Sequence, residues 1–167
     1  LRELLLEEAE NRSDRPSRWL SLACGAAQPI LLTMEESGRR GLPIPEVTLA
    51  DLDAQALRLA GAYAAESGLT SRTRTVRMNV LRRQGFAAIP NRIGIPRSTN
   101  WPGSFDMVEA IGLLEYLKPE DWKYSYGRVV STKHALAGAV TFLRNAFECV
   151  KPGGLLVVGN MLDTHPQ

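Results

Sequence analysis

The sequence predicts an α/β fold: a doubly wound, mostly parallel sheet with helices on both of its faces. Two observations support this prediction. Short apolar or alternating stretches recur along the chain, separated by longer stretches with helical periodicity. The most complete short stretch, 155–159, is apolar throughout, as is typical of a strand buried on both faces of a parallel sheet. With 167 residues, 44% of them hydrophobic, the chain can form one domain with a sizeable core.

The composition constrains partners and compartment only weakly. A net charge of +2 neither demands nor excludes nucleic acid. Cys24 and Cys149 lie far apart, which argues against a disulfide framework and favours a reducing, cytoplasmic compartment. No apolar run is long enough to span a membrane, so we expect a soluble protein without a membrane partner. No cluster of metal ligands is evident, and the oligomeric state cannot be predicted.

The amino-terminal part, 1–16, is predicted to be a covering helix and a linker, and 17–167 the α/β domain. Leucines and glutamates alternate at helical spacing over 1–10, and Pro16 interrupts that pattern. The first strand follows at 19–23, and a second helix is predicted at 28–39.

The remaining elements follow in alternating order. Asp53 is placed to cap the third helix, and Gly68 to end it. The predicted strands are 46–50, closing on Asp51, 72–78, ending at Asn79, 105–111 and 155–159. The predicted helices are 53–66, a short helix within 81–104, one that opens near 118–126, and 131–150. The Lys-Pro-Gly-Gly sequence at 151–154 stops the last of them.

The stretch 18–28 is the first candidate site. An apolar strand meets Gly25 and then a helix start, an arrangement that points backbone N–H groups and a helix dipole at one spot, where an anionic or carboxylate-bearing cofactor would fit. A dinucleotide fingerprint has three spaced glycines, whereas here Gly25 is flanked by Ala23, Ala26 and Ala27. An ordinary buried strand followed by a turn is the alternative.

Several motifs fall in a familiar order between residues 18 and 161. They are Ser21-Leu22-Ala23-Cys24-Gly25-Ala26 after the first strand, Asp51 ending the second, Asn79-Val80 ending the third, Phe105-Asp106-Met107-Val108 with Leu114-Glu115-Tyr116-Leu117 after it, and Val150-Lys151-Pro152-Gly153-Gly154 before the fifth. Together they resemble a class I S-adenosylmethionine-dependent methyltransferase. The resemblance implies a Rossmann-like methyltransferase fold with five visible strands, the first of them central. Members normally add two more strands, so the resemblance also implies that the carboxyl-terminal strands are missing.

The resemblance implies a set of cofactor contacts for S-adenosylmethionine. Ala23, Cys24 and Gly25 would pack against its methionine part, and the backbone of Glu109 and Ala110 would face its amino group. Asp51 would hold the ribose hydroxyls. Leu52 and Val80 would line the adenine, and Asn79 would contact the adenine amino group. From the residues alone, Asp51 could instead cap the following helix, and Asn79 could be a turn residue. The sequence departs from the family at Ser21, usually acidic, and at Ala23 and Ala27, usually glycines.

Other ionisable residues give weaker hypotheses. Cys24 could be a reactive thiol, although a small packing residue is favoured, and Asp106 is expected to be structural. Glu115 and Tyr116 could belong to the pocket or to helix packing, and neither His134 nor His165 is favoured as a base. The segment between Glu66 and Asp106 has no acidic residue but several arginines, so it could bind an anionic acceptor or RNA, although a solvated basic face is favoured. These arginines are Arg72, Arg74, Arg77, Arg82, Arg83, Arg92 and Arg97.

The predicted function is methyl transfer from S-adenosylmethionine to an unidentified acceptor, and a small molecule is favoured over RNA. No catalytic residue is predicted, because the cofactor's methyl group is already electrophilic and the protein mainly positions the reactants. Two alternatives stay open. One is an NAD(P)-dependent oxidoreductase on the same kind of sheet, and the other is a non-catalytic nucleotide-binding or assembly domain.

Overall fold

The computed structural model describes residues 1–12, 16–81, 101–113 and 132–159, with side chains in the last segment described from 139 onward. The chain forms four helices and five strands there, besides a 3₁₀ turn at Thr70–Arg72. In chain order these are α1 (Arg2–Asn11), β1 (Arg18–Leu22), α2 (Gln28–Arg39), β2 (Glu46–Asp51), α3 (Ala54–Glu66), β3 (Thr73–Arg77), β4 (Phe105–Ile111), α4 (Thr132–Cys149) and β5 (Val150–Gly159).

All five strands are parallel and lie in the order β3-β2-β1-β4-β5. The predicted parallel sheet with a central first strand is therefore confirmed. The chain adds β2 and β3 on one side of β1, then crosses to add β4 and β5 on the other. The strand order thus reverses beside β1, and the carboxyl ends of β1, β2 and β4 border one crevice, which is where open α/β sheets bind ligands.

Helices cover both faces of the sheet. Alternate side chains of β1 point in opposite directions, so Trp19 enters one core cluster and Leu20 and Leu22 the other. The first cluster packs against α1, α2 and α3, where Leu5, on α1, is fully buried. The second packs against α4, and its members include Leu20, Leu22, Phe105, Val108, Ala110, Phe142, Ala146 and Cys149.

The boundaries of the last strand differ from the prediction. We expected Lys-Pro-Gly-Gly to separate a helix from the fifth strand, but β5 already begins at Val150, which pairs with Phe105. Residues 151–154 form an irregularity within the strand, because the next pair in register joins Leu155 to Met107. A Cβ on Gly154 would lie 2.8 Å from the Asp106 carbonyl oxygen, so glycine is required there by close packing.

The other differences are small. The third strand ends at Arg77, one residue before the end of the predicted range 72–78, which leaves Asn79 in the loop that follows. The second strand includes Asp51. The element predicted near 118–126 and nearly all of 81–104 lie outside the described residues.

Candidate functional site

Two adjoining cavities lie at the carboxyl ends of β1, β2 and β4. The larger has a volume of about 560 Å³ and the smaller about 130 Å³. Ala23, Cys24 and Ile111 line both of them. The larger cavity is also lined by Gly25, Asp51, Leu52, Asp53, Ala56, Asn79, Val80, Leu81, Gly112 and Leu113, and the smaller by Leu1, Leu5, Ala27, Pro29, Ile30 and Glu109.

The turn between β1 and α2 is left-handed at every second residue. Ala23, Gly25 and Ala27 have φ angles of 53°, 54° and 54°. These are the positions where the resemblance places glycines, so the chain keeps a glycine-type backbone at two alanines. A left-handed conformation costs an L-residue about 1 to 2 kcal/mol, a strain that persists only where the surroundings enforce it. One such restraint is the Ala27 N–H, which donates to the Cys24 carbonyl at 2.8 Å.

Asp51 connects this turn to the end of β2. Its Oδ2 accepts a hydrogen bond from the Gly25 N–H at 2.8 Å, and its Oδ1 accepts one from the Asp53 N–H, also at 2.8 Å. The cap of α3 is Asp53 instead, whose Oδ1 accepts from the Gln55 N–H at 2.7 Å. Each carboxylate oxygen of Asp51 retains acceptor capacity toward the larger cavity, because a carboxylate offers about four lone-pair sites.

Three further predicted residues line the larger cavity. Leu52 is 57% exposed, an unusual state for a leucine beside a cavity, whereas Val80 is buried. Asn79 forms a local turn, because its Oδ1 accepts from the Leu81 N–H at 3.0 Å. The oxygen that the resemblance assigns to adenine therefore already has one backbone partner, with one lone-pair site left.

Cys24 has the environment of a packing residue. Burial raises the pKa of its thiol to about 12, and the nearby carboxylates of Asp51 and Glu109 act in the same direction. The thiol therefore stays protonated at neutral pH, where a reactive cysteine would need a lowered pKa. Its Sγ lies 3.5 Å from the Gly25 carbonyl oxygen, to which it donates.

Glu109 is a buried carboxylate on the wall of the smaller cavity. It is 6% exposed and accepts a hydrogen bond from the Ser21 hydroxyl, its register partner on β1. Burial raises the pKa of Glu109 to about 7, and the bond from Ser21 opposes that rise. The neighbouring Ala110 is 1% exposed and belongs to the core on the α4 side, so it is not part of the described lining of either cavity.

The described lining is acidic. Asp51 and Asp53 border the larger cavity and Glu109 the smaller, and no lysine or arginine is among the described residues that line them. A site with this charge favours a ligand that carries positive charge.

No family model matches the sequence, and a search of curated proteins also finds no match. Solved structures do match. The [4+2]-cyclase SpnF aligns at 19% identity over 94% of this chain and 42% of its own, with a TM-score of 0.59. CalH, a trans-methyltransferase in complex with SAH, aligns at 15% identity over 94% of this chain and 35% of its own, with a TM-score of 0.61. The S-adenosylmethionine-dependent methyltransferase SibL, in its apo form, aligns at 24% identity over 92% of this chain and 33% of its own, with a TM-score of 0.54.

The chain has the class I methyltransferase fold. It spans less than half the length of each of these three proteins. At these identities the likeness establishes the fold alone, and the activity has to be argued from the site.

Several residues that line the two cavities were not predicted from the sequence as site residues. Ile111 ends β4, and Gly112 and Leu113 follow it, a position that the strand-end rule for parallel sheets could have indicated. Leu1, which precedes α1, and Leu5 of α1 line the smaller cavity. The sequence carries no local signal for that contact, because it depends on how α1 packs against the domain.

The remaining candidates lie away from the cavities or outside the described residues. Asp106 lies at the opposite, amino-terminal end of the sheet, consistent with a structural role. Of the basic segment, Arg72 lies 3.7 Å from a Glu46 oxygen and the Arg77 Nε donates to the Leu52 carbonyl. The side chains of Glu115, Tyr116, His134, His165, Arg82, Arg83, Arg92 and Arg97 are outside the described residues.

Within the described ranges, no group of three His, Cys, Asp or Glu side chains could hold a metal ion. No helix in the same ranges is long and apolar enough to cross a membrane.

Proposed function

We propose that this chain binds S-adenosylmethionine and transfers its methyl group to a small-molecule acceptor. The observation that carries the proposal is the position of Asp51. It ends β2 at the mouth of the larger cavity, and both of its oxygens are fixed by backbone N–H groups while retaining acceptor capacity. A preorganised carboxylate of this kind suits a ribose diol, which donates two hydrogen bonds.

The rest of the larger cavity fits an adenosine group. Its volume of about 560 Å³ is within the usual range for small-molecule sites. Leu52 and Val80 offer apolar surface for an aromatic ring, and burying the exposed Leu52 side chain against a ligand would be favourable. Ala23, Cys24 and Gly25 place the turn where it would hold the methionine part.

The acidic lining favours this cofactor over a nicotinamide dinucleotide. A pyrophosphate needs free backbone donors or basic side chains, but the Gly25 N–H already donates to Asp51. At the start of α2, Pro29 has no N–H to offer. A sulfonium ion and an ammonium group carry the positive charge that carboxylates attract, so the charge of the site supports S-adenosylmethionine. The methyltransferase names of CalH and SibL agree with this choice.

When bound, the cofactor would supply an electrophilic methyl group on sulfur. The chain's contribution would be orientation. Asp51 would fix the ribose, the β1–α2 turn would hold the methionine part, and the described lining would exclude water from one side of the reacting centre. Bringing the reactants into line accounts for a large share of the rate in reactions of this type, so no dedicated base is required.

A second candidate function is ligand binding without methyl transfer. The observation that favours it is the match to SpnF, which is named as a [4+2]-cyclase although its fold is shared with methyltransferases. Binding of S-adenosylmethionine without its consumption, in the presence of a panel of nucleophilic small molecules, would support this second function.

Calorimetric titration with S-adenosylmethionine, S-adenosylhomocysteine and NADH tests the proposal. Micromolar binding of the first two is expected, and Asp51→Asn should weaken it by about tenfold or more, because a charge-assisted pair of hydrogen bonds is lost. Asp53→Asn is the matched control. It removes the same charge two residues away, and asparagine still caps α3. Binding of NADH alone, or equal losses in both variants, would contradict the proposal.

A further inference from the structure

Glu109 is a buried carboxylate with no cationic partner among the residues that the structure describes. Its side chain accepts from the Ser21 hydroxyl, and no lysine, arginine or histidine in the described ranges forms an ion pair with it. Burying a carboxylate is costly unless a positive charge or several donors compensate it. One neutral hydroxyl compensates only a small part of that cost, so the native structure retains an unfavourable group at this position.

The position of Glu109 indicates what could compensate it. Glu109 lines the smaller cavity together with apolar residues, which include Leu1, just before α1, Leu5 of α1 and Ile30 of α2. Ala23 and Cys24 separate this cavity from the larger one and line both. A ligand held by Asp51 in the larger cavity could therefore extend past the turn and present a small group to Glu109.

We propose that the Glu109 carboxylate is the counter-ion of a ligand ammonium group that enters the smaller cavity. A volume of about 130 Å³ is sufficient for a group the size of an aminoalkyl end. The ammonium has two possible sources: the amino acid part of the cofactor, in which case the inference rests on the proposed function, or an amine-bearing acceptor. In either case, Glu109 on β4 supplies the carboxylate that pairs with the ammonium.

The register of the sheet makes this assignment specific. Ser21 and Glu109 are direct partners on neighbouring parallel strands. The acidic side chain that the resemblance expects at position 21 of β1 is thus replaced by a hydroxyl, and an acidic side chain stands beside it on β4. Exchanging the two residues would move the carboxylate by about one strand spacing, roughly 4.8 Å, while leaving it bonded to a hydroxyl.

The test compares S-adenosylhomocysteine with its deaminated analogue, in which hydrogen replaces the α-amino group. Both are titrated at pH 8 into the natural chain, into Glu109→Gln and into the double variant Ser21→Glu with Glu109→Ser. If the cofactor supplies the ammonium, Glu109→Gln weakens S-adenosylhomocysteine binding by about tenfold or more. The affinity for the deaminated analogue changes by no more than about twofold. The double variant recovers part of the lost affinity for S-adenosylhomocysteine. Near-UV circular dichroism checks that each variant is folded.

The second arm addresses the acceptor as the source. n-Propylamine is added to chain saturated with S-adenosylhomocysteine, and the ¹³C resonance of the Glu109 carboxyl is followed against pH. If an acceptor amine is the partner, n-propylamine lowers the pH at which this resonance titrates, and Glu109→Gln abolishes n-propylamine binding. The inference is overturned if Glu109→Gln binds both ligands as the natural chain does and n-propylamine leaves the titration unchanged.

The outcomes separate this inference from the proposed function. If S-adenosylhomocysteine binds with the expected dependence on Asp51 but not on Glu109, and n-propylamine has no effect, the proposed function stands and the inference fails. If S-adenosylhomocysteine does not bind at all, the proposed function fails, and n-propylamine added to the ligand-free chain decides the inference by the same carboxyl resonance.

Discussion

Strand β4 carries two buried carboxylates that differ in their partners. Asp106 is 3% exposed and Glu109 is 6% exposed. Both oxygens of Asp106 lie 3.0 Å from the Lys151 Nζ, and its Oδ2 also accepts from the Arg18 N–H at 2.8 Å. Glu109 has the Ser21 hydroxyl as its described partner. The two residues have similar burial, but among the described residues only Asp106 is paired with a cation.

The difference follows the direction of the sheet. Asp106 lies at the amino-terminal end of the strands, where Lys151 from β5 and Arg12, 3.8 Å away, approach it. Glu109 lies at the carboxyl-terminal end, beside the cavities. Parallel sheets bind their ligands at that end, so a polar group there can be left without a partner until a ligand arrives. On this strand, pairing with a cation among the described residues, and not burial, separates Asp106 from the residue that we propose to bind a ligand.

Removing the satisfied carboxylate should have the largest effect on stability. Asp106→Ala leaves Lys151 and the Arg18 N–H without their acceptor, and we expect a loss of about 4 kcal/mol in the free energy of unfolding, as for other broken buried pairs. Urea denaturation measures it. The control is Glu46→Gln, which removes an exposed partner of Arg72 and should cost less than about 1 kcal/mol. Near-equal losses in the two variants would contradict the comparison.

Removing the unsatisfied carboxylate should have the opposite sign and should depend on pH. The pKa of Glu109 rises from 4.5 to about 7, so between these values the folded chain keeps a proton that the unfolded chain has released. Stability therefore falls as pH rises through this window, and the penalty is complete above about pH 7. It amounts to about 3 kcal/mol at 1.36 kcal/mol per pKa unit.

Glu109→Gln mimics the protonated side chain and removes this penalty. We expect the variant to match the natural chain near pH 4.5 and to be more stable by about 3 kcal/mol at pH 8. Urea denaturation at several pH values provides the measurement. A stability difference that does not change between pH 5 and pH 8 would mean that Glu109 is already compensated by a group in the chain.

The Ser21 hydroxyl provides a smaller test of the same environment. It donates to Glu109 and favours the charged form, so Ser21→Ala should raise the pKa of Glu109 above its value in the natural chain. The net value of such a bond, about 1 kcal/mol, corresponds to a rise of somewhat under one unit. Titration of the Glu109 carboxyl resonance in both chains measures this change in pKa. An unchanged or lowered pKa would show that the hydroxyl is not its donor.

The sequence was sufficient to predict the elements but not the contacts between them. The bounds of α2 and β4 agree with the predicted 28–39 and 105–111, because helical periodicity, turn residues and apolar runs are local signals. The pairing of Ser21 with Glu109 joins residues 88 positions apart and depends on strand order. The packing of Leu1 and Leu5 over the smaller cavity likewise depends on tertiary structure. From the sequence, the resemblance implied only a backbone contact at position 109, whereas in the structure Glu109 lines the smaller cavity and its side chain accepts from Ser21.

The alanines of the β1–α2 turn allow the smallest and cleanest test of how the site is held. Ala23 and Ala27 share the same left-handed φ, but Ala23 is partly exposed where it packs against the second core cluster, whereas Ala27 is 3% exposed within the first. Ala23→Gly should therefore stabilise the chain by about 0.5 to 1 kcal/mol, because relief of strain exceeds the entropy that glycine adds to the unfolded state. Ala27→Gly should be near neutral, since the same relief is offset by the loss of a buried methyl group worth about 0.8 kcal/mol. Urea denaturation of both variants gives the comparison. If Ala23→Gly is destabilising, the packing of the Ala23 methyl group against the second core cluster outweighs the strain of the left-handed turn.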